Sequence, residues 1–357
     1  MERDYSAAAA FESPSIIKTE AKERHGKMTD ELALFDVEIT PITYTASRDP
    51  ELEEIAFWFS THRNLADRFA QVFRRSIDEV LDGQRTGRYD LYLAEGVGRV
   101  EKTEKTYLGT KVEIVARAEF DLGYGHPMDY LINGVNVDAK FTMGSNWAIP
   151  KEALGHICML MTANDNTGTF HVGLLRTTAD MLNAGMNGDG KRGVSVEGKR
   201  NIRWLVQNGE LPKNFLLELK REEPGSLAKI WHTSSTQKIS GAGGQARVNE
   251  LFRLLPGRLI DRTTVVTVAM QHDGPKRVRD ARKHLRPEGF IILGHLKPAP
   301  QIAEDLGLPV PSKGSWVSAR LALVPEQSGR RTTLIDGARY SLWQEGDTSI
   351  AAPLIDT

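Results

Sequence analysis

Hydrophobic periodicity begins only beyond residue 45. Residues 1–45 mix charged residues with scattered Ser, Thr and Pro and hold no sustained period, so a polar extension is expected there. From Leu65 the apolar positions Phe69, Val72, Phe73, Ile77 and Val80 recur at helical spacing, and Asp82-Gly83 closes the pattern with a C-cap signal. A second helix is expected from Thr103, a capping residue, through Val112 and Val115 to about Phe120, with Gly123 and Gly125 breaking it. The period then changes to two. Met128 to Ile132 and Val135 to Phe141 flank Asn133-Gly134, a dipeptide suited to a type I′ turn, and predict a β-hairpin. Ile157 to Met161 and Val172 to Leu175 read as further buried strands. These segments predict an α/β fold with a mixed catalytic domain over residues 46–204. A linker is expected over residues 205–213, where Val206-Gln-Asn-Gly-Glu-Leu-Pro-Lys213 is rich in turn formers.

Residues 214–357 carry a different pattern. Gly244 to Leu255 reads as a helix and Pro256-Gly257 as a turn; a second helix, capped by Asp261 or Thr263, reaches Met270. A third runs from about Asp273 to Leu285, stopped by Pro287 and Gly289. The β-rich stretches Phe290 to Leu293, Trp316 to Leu323 and Thr333 to Trp343 follow. Three short helices and then a small sheet is the order of a winged helix-turn-helix domain.

Composition adds boundaries to this picture. The 357 residues, with 46 Lys+Arg against 47 Asp+Glu and 40% hydrophobic residues, fit a soluble globular chain of two domains. The one cysteine, Cys158, can form neither an internal disulfide nor a CxxC zinc site, which points to a reducing, cytoplasmic setting. No stretch approaches the roughly 20 apolar residues of a membrane span, so no membrane partner is expected. The near-neutral total conceals local charge. Between Lys238 and Arg286 eleven basic residues face four acids, a local excess of +7. Lys276, Arg277, Arg279, Arg282, Lys283 and Arg286 crowd one short helix, a density that points to double-stranded DNA as the partner.

The candidate chemistry lies in the hairpin. With Asn133 and Gly134 in the turn, Ile132 pairs with Val135, Leu131 with Asn136, Tyr130 with Val137, and Asp129 with Asp138. Period two places Asn136, Asp138 and Lys140 on one face, expected to be polar, and Val135, Val137, Ala139 and Phe141 on a core face. Like charges opposed across a sheet destabilise it unless a cation sits beside them. On the preceding helix Lys105, Gly109 and Glu113 recur at i, i+4 and i+8, so Glu113 is a candidate third acid on the same stripe. Glu113, Asp129 and Asp138 are hard oxygen donors that suit Mg2+ better than zinc. Lys140 is placed to hold an attacking water or to stabilise phosphorane charge, which is the equipment for metal-assisted phosphodiester hydrolysis. Arg85, Thr86 and Arg88 sit in a glycine-bracketed basic loop that suits phosphate, as does Lys105 on its helix. His156 and Cys158 fall in an apolar run and read as core, and Asp189 reads as a turn residue.

These residues also carry a resemblance. Leu81-Asp-Gly-Gln-Arg-Thr-Gly-Arg88, Lys102-Thr-Glu-Lys-Thr106 with Gly109 and Glu113, Val137-Asp-Ala-Lys-Phe141 and Gly155-His-Ile-Cys158 occur in one order. Gly244-Gln-Ala-Arg-Val-Asn-Glu-Leu-Phe-Arg253, Leu285-Arg-Pro-Glu-Gly289 and Asp305-Leu-Gly-Leu-Pro-Val-Pro311 continue it. Over most of its length the chain resembles the NaeI-type (type IIE) restriction endonucleases. Its Lys105, Gly109, Glu113 and Asp138-x-Lys140 pattern is similar to that of the MutH-like nickases. The resemblance implies a restriction-endonuclease-like, MutH-like N-terminal domain in a homodimer that cuts both strands and leaves 5′-phosphates. Glu113, Asp129, Asp138 and Lys140 then stand at the metal-binding catalytic positions. It also implies a C-terminal winged-helix domain that binds a second, activating DNA copy, with Gln245 and Arg247 beside Lys276, Arg277, Arg279, Arg282 and Lys283 as DNA contacts. Val80 stands at the first position of the family's (Leu or Lys)-x-Asp-Gly motif, so no lysine is present there for nucleotidyl transfer. Two other readings compete: a MutH-like nickase, and a two-domain regulator whose carboxylates are structural.

Overall fold

The computed structural model describes residues 49–93, 98–233 and 243–355. The expected polar extension over residues 1–45 lies outside the described residues. The N-terminal half opens with helices α1 (Pro50–Ser60), α2 (Leu65–Leu81), α3 (Gly83–Thr86) and α4 (Lys102–Phe120). Strands β1 (Gly123–Tyr124), β2 (Tyr130–Ile132), β3 (Val135–Thr142), β4 (Ala148–Ile149), β5 (Ile157–Asn164), β6 (Thr169–Arg176), β7 (Leu182–Met186) and β8 (Arg192–Val194) follow. Helix α5 (Val196–Arg200) and strand β9 (Arg203–Glu210) complete it. The main sheet has the order β1-β2-β3-β5-β6-β9, and a second sheet has the order β4-β8-β7. Only the β3/β5 pair of the main sheet is parallel.

Alternation along the central strands assigns the faces. Val137, Ile157, Met159, Met161, Phe170, Val172 and Leu174 join Phe69, Phe73, Leu108 and Val112 of α2 and α4 in one apolar core. Cys158, Leu160 and Leu175 point the other way and pack with Trp147, Ile149, Leu182 and Val194. The hairpin face expected to be polar is therefore enclosed: the three-stranded sheet covers its neighbour β5, and Asp138 is 6% exposed. Other boundaries shift too. Asp82, not Gly83, takes the left-handed conformation (φ 47°) that ends α2, and α4 begins from a Glu101/Glu104 capping box rather than from Thr103. Residues 205–213, expected as a linker, are largely strand β9, which pairs with β6 at the edge of the main sheet.

The C-terminal half begins with α6 (Phe215–Glu222) and α7 (Pro224–His232), two helices the sequence reading did not foresee. Then come α8 (Gly243–Leu254), β10 (Leu259–Asp261), α9 (Arg262–Ala269), α10 (Gly274–Leu285), β11 (Phe290–Leu293), α11 (Ala299–Asp305), β12 (Ser315–Leu323), β13 (Thr333–Ile335) and β14 (Ala338–Leu342). Asp261 caps α9 by accepting from the Thr264 amide at 2.7 Å, which settles the choice between Asp261 and Thr263. Strand β12 pairs with β10, β11 and β14, and separate apolar clusters fill the helical layer and the sheet.

Polar residues join the two halves. Arg74, on α2, is buried and bonds Asp165 at 2.7 Å and Asp78 at 2.9 Å. Asn214, the cap of α6, donates to Asp165 at 2.9 Å and to the Tyr89 carbonyl at 2.8 Å. Burial pushes the Asp78 carboxyl up to about 6 against the pull of Arg74, with Asp165 and Asp261 adding repulsion. Folding thus favours protonated Asp78: its contribution is whole below the ordinary value of 3.8 and is lost as pH rises through about 6. An Asp78→Asn variant is expected to lose less thermal stability than the parent between about pH 5 and about pH 7. Melting curves across that window check it, and identical slopes for the two proteins would refute the assignment.

Candidate active site

The turn sets the geometry of the site. Asn133 and Gly134 both have positive φ (48° and 80°), as a type I′ turn requires. The resulting pairs are Ile132 with Val135, Leu131 with Asn136 and Tyr130 with Val137, as the sequence pattern implies. Asp129 immediately precedes β2, and its Oδ2 accepts from the Ala139 amide at 2.8 Å, which fixes its carboxylate beside Asp138. Lys140 Nζ lies 2.6 Å from Asp138 Oδ2 and 3.9 Å from Asp129 Oδ2. It also donates to the Ala139 carbonyl at 3.0 Å. Burial, then hydrogen bonding with Asp129, pushes the Asp138 carboxyl up to about 6, while Lys140 opposes the rise. Two carboxyls and one ammonium thus meet at a point where Asp138 is buried and Asp129 and Lys140 are half-buried.

Strand β5 closes the far side. Its parallel register pairs Cys158 with Asp138, and the thiol lies 3.8 Å from Asp138 Oδ2. Burial, reinforced by the Asp138 charge, pushes that thiol up to about 12, so it is not a nucleophile at neutral pH. The reading of Cys158 as core agrees with this.

Helix α4 delivers Glu113. Gly109 faces β3, where a Cβ would stand 4.0 Å from the Phe141 Cβ, and the Tyr130 hydroxyl donates to the Glu113 carbonyl at 3.0 Å. The Glu113 carboxylate itself bonds Arg117 at 2.8 Å, and the same guanidinium nitrogen donates to the Asp129 carbonyl at 3.0 Å. The structure therefore brings Asp129, Asp138 and Lys140 together, with Glu113 held alongside through Arg117. Among the described residues no group of three or more His, Cys, Asp or Glu side chains is gathered around a common point. Glu113 is paired with Arg117 instead, an opposite charge four residues along the same helix. The Asp129 and Asp138 carboxylates are hard oxygen donors of the kind a Mg2+-class ion takes. Arg117 was missed from sequence, although it is the next member of the Lys105, Gly109, Glu113 stripe.

The expected DNA contacts divide sharply. Lys276, Arg279 and Lys283 are exposed on α10. Arg277 is half-buried, 3.8 Å from Asp280, and Arg282 donates to the Ile292 carbonyl at 2.9 Å. Arg247 is buried: it donates to the Val268 carbonyl at 2.6 Å and the Ala269 carbonyl at 3.1 Å, binding the C-terminal end of α9. Gln245, also buried, bonds Asn249 and the Arg277 carbonyl. Neither presents its polar end to a duplex. Arg88 pairs with both Glu104 oxygens at 2.9 and 3.0 Å and with the Leu81 and Val80 carbonyls, bracing α2 against α4. The Thr86 hydroxyl donates to the Leu81 and Asp82 carbonyls. Arg85 is exposed beside Asp82, and Lys105 is half-buried on α4.

Comparison with known proteins accounts for most of the chain. The model of the family "Restriction endonuclease NaeI" matches residues 56–351. The type II restriction enzyme NaeI of Lentzea aerocolonigenes is 41% identical over 316 residues, which is 87% of this chain and 96% of that enzyme. The matched region takes in the hairpin with Asp138 and Lys140, helix α4 and the basic helix α10 alike. The chain belongs to the NaeI family of restriction endonucleases.

Proposed function

We propose that this restriction endonuclease cuts both strands of DNA in a Mg2+-dependent reaction at the Asp129/Asp138/Lys140 site. The observation that carries the proposal is the ammonium of Lys140 at 2.6 Å from Asp138, across the hairpin from Asp129. Asp129 and Asp138, with Glu113 alongside, would hold the cation. When bound, the cation supplies charge neutralisation for the phosphate under attack and lowers the pKa of water. Lys140 orients the attacking water and meets negative charge developing on the phosphorane. The water oxygen bonds to phosphorus, its proton passes to the local base or solvent, and the bond to the 3′ oxygen breaks, leaving a 5′-phosphate. Cys158 and the covering sheet keep bulk water from the far side of Asp138, which strengthens every charge interaction there.

The same proposal covers the C-terminal half. The order α8, β10, α9, α10, β11, β12 is read as a winged helix-turn-helix, with exposed Lys276, Arg279 and Lys283 meeting a second DNA copy that activates cleavage. Cutting two strands with one hairpin site per chain calls for two copies, so a homodimer is proposed. Among the described residues no helix is long and apolar enough to cross a membrane.

Asp138→Ala is expected to abolish cutting of supercoiled plasmid while leaving duplex affinity in EDTA within about twofold, because the carboxylate binds the cation and not the DNA. Lys140→Met should slow the chemical step by about 10²- to 10³-fold, the scale for losing one transition-state donor. Agarose gels of plasmid with Mg2+ or EDTA check both; cutting by Asp138→Ala, or by the parent in EDTA, would defeat the mechanism. Linear products support double-strand cleavage, and open circles alone would favour the nickase. Replacing Lys276, Arg279 and Lys283 together by Ala should remove stimulation by added short duplexes and reduce the slope of log affinity against log salt by about one per lost phosphate contact. Stimulation undiminished in the triple variant would place the effector site elsewhere.

A further inference from the structure

One hairpin of the N-terminal half extends beyond its apolar cores and takes no part in the cutting chemistry. Strands β7 and β8 leave the covering sheet at Leu182 and Val194, both buried, and the nine residues from Asn183 to Lys191 are all exposed. The base of this hairpin adjoins the cutting site: Leu182 and Val194 pack with Cys158, whose thiol lies 3.8 Å from Asp138 Oδ2. Asn146, in the segment that follows β3 and its Lys140, binds both backbone groups of Val194 through its side-chain amide, at 3.0 Å each. The Arg192 guanidinium donates to the Ala179 and Leu182 carbonyls at 3.1 and 3.0 Å, which braces the base further. At the tip the Asn187 side chain accepts from the Asp189 and Lys191 amides at 3.0 and 2.9 Å. An exposed ribbon is thus held in one shape at both ends.

We propose that the β7–β8 hairpin reads the bases of the duplex being cut, with Asp189 and Lys191 as its base-reading side chains. The inference rests on the placement of cutting at Asp138. A sequence-specific endonuclease must touch base edges, because phosphate contacts position a protein without reading sequence. A two-stranded ribbon fits the major groove, where a carboxylate accepts from base amino groups and an ammonium donates to base oxygens and ring nitrogens. Among the described residues neither the Asp189 carboxylate nor the Lys191 ammonium has a polar partner, so both are available. Together they carry no net charge, which suits hydrogen bonds to bases better than attraction to phosphates. The glycines are a second, independent sign. Gly185 and Gly188 lack the positive φ that calls for glycine, and a Cβ on either would meet nothing within 4 Å among the described residues. Nothing within the chain requires a residue without a side chain there, whereas the close approach of a ligand does. A hairpin fixed before binding also loses little freedom on entering a groove.

The test compares the full-length parent with Asp189→Ala, Lys191→Ala and Gly185→Val. Genomic DNA is digested with Mg2+ and the fragment ends are sequenced to give the site. Initial rates are then measured on short duplexes carrying that site and each single base-pair change, and melting curves check folding. Asp189→Ala and Lys191→Ala are each expected to lose discrimination by about five- to 150-fold at one base pair and to keep it at the others, the scale for a base contact. Gly185→Val is expected to melt as the parent does yet to cut about tenfold more slowly, because its side chain enters the space of the duplex. An unchanged site and unchanged discrimination in both Ala variants would overturn the proposal. So would a uniform loss on every duplex with a lower salt slope, which would make these two side chains phosphate contacts. If the Ala variants do not fold, full-rate cutting by folded Gly185→Val overturns it instead. Cutting by Asp138→Ala would overturn the placement of the cutting site itself, separately from base reading, which the pattern of discrimination reports.

Discussion

Two carboxylates held against each other across a hairpin repel, and the N-terminal half is arranged around that repulsion. The Asn133-Gly134 turn fixes the register; a slip of one residue would turn Asp138 into the helix-side core and Val137 toward Cys158. The Ala139 amide then pins the Asp129 carboxylate in place, so the two acids cannot separate without breaking that bond. Burial makes the conflict sharper by disfavouring charge on Asp138, and Lys140 relieves only part of it.

The surroundings keep that conflict from dissipating. Helices α2 and α4 pack one face of the sheet through Phe69, Phe73 and Val112, while the small sheet seals the other through Trp147, Leu182 and Val194. With both faces covered, the hairpin has little freedom to splay, and water cannot screen Asp138 from the Cys158 side. Glu113 reaches the site on α4, where a Cβ at Gly109 would stand in ordinary contact, 4.0 Å, with the Phe141 Cβ of β3. Asp138 and Lys140 stand on a strand and Glu113 on a helix, each packed on a core, while Asp129, in the bend before β2, is held by the Ala139 amide.

Much of this was legible in the sequence because its causes are local. The I′ turn, the period-two strands and the stripe through Phe69, Val72 and Phe73 depend on residues a few positions apart, so register and core face follow from spacing. What was not legible depends on distant partners. Residues 205–213 have linker composition, yet β9 forms because it pairs with β6 at the edge of the sheet, and its Leu205 and Val206 pack against the core. Thr103 is a good cap on propensity, but Glu101 and Glu104 satisfy two amides reciprocally and move the helix start. The Glu113–Arg117 pair is an i,i+4 pattern that sequence shows, whereas the Asp129 carbonyl that gives it meaning comes from another element.

Charge was the least transferable signal, because composition states its amount and not its direction. Of the basic residues behind the +7 excess, Arg247 is turned onto carbonyls at the end of α9. Arg253 pairs with Glu288 and Glu250, and Arg258 with Glu222 and Glu223. Arginine suits such work: five donors in a fixed fork can close a helix end or bridge two acids. Those side chains hold the frame and release no counterions to a bound duplex. Lysine behaves differently here, with Lys276 and Lys283 left exposed on α10 beside Arg279. The electrostatic footprint that DNA can meet on this helix is therefore set by these few side chains, and the local excess of +7 overstates it.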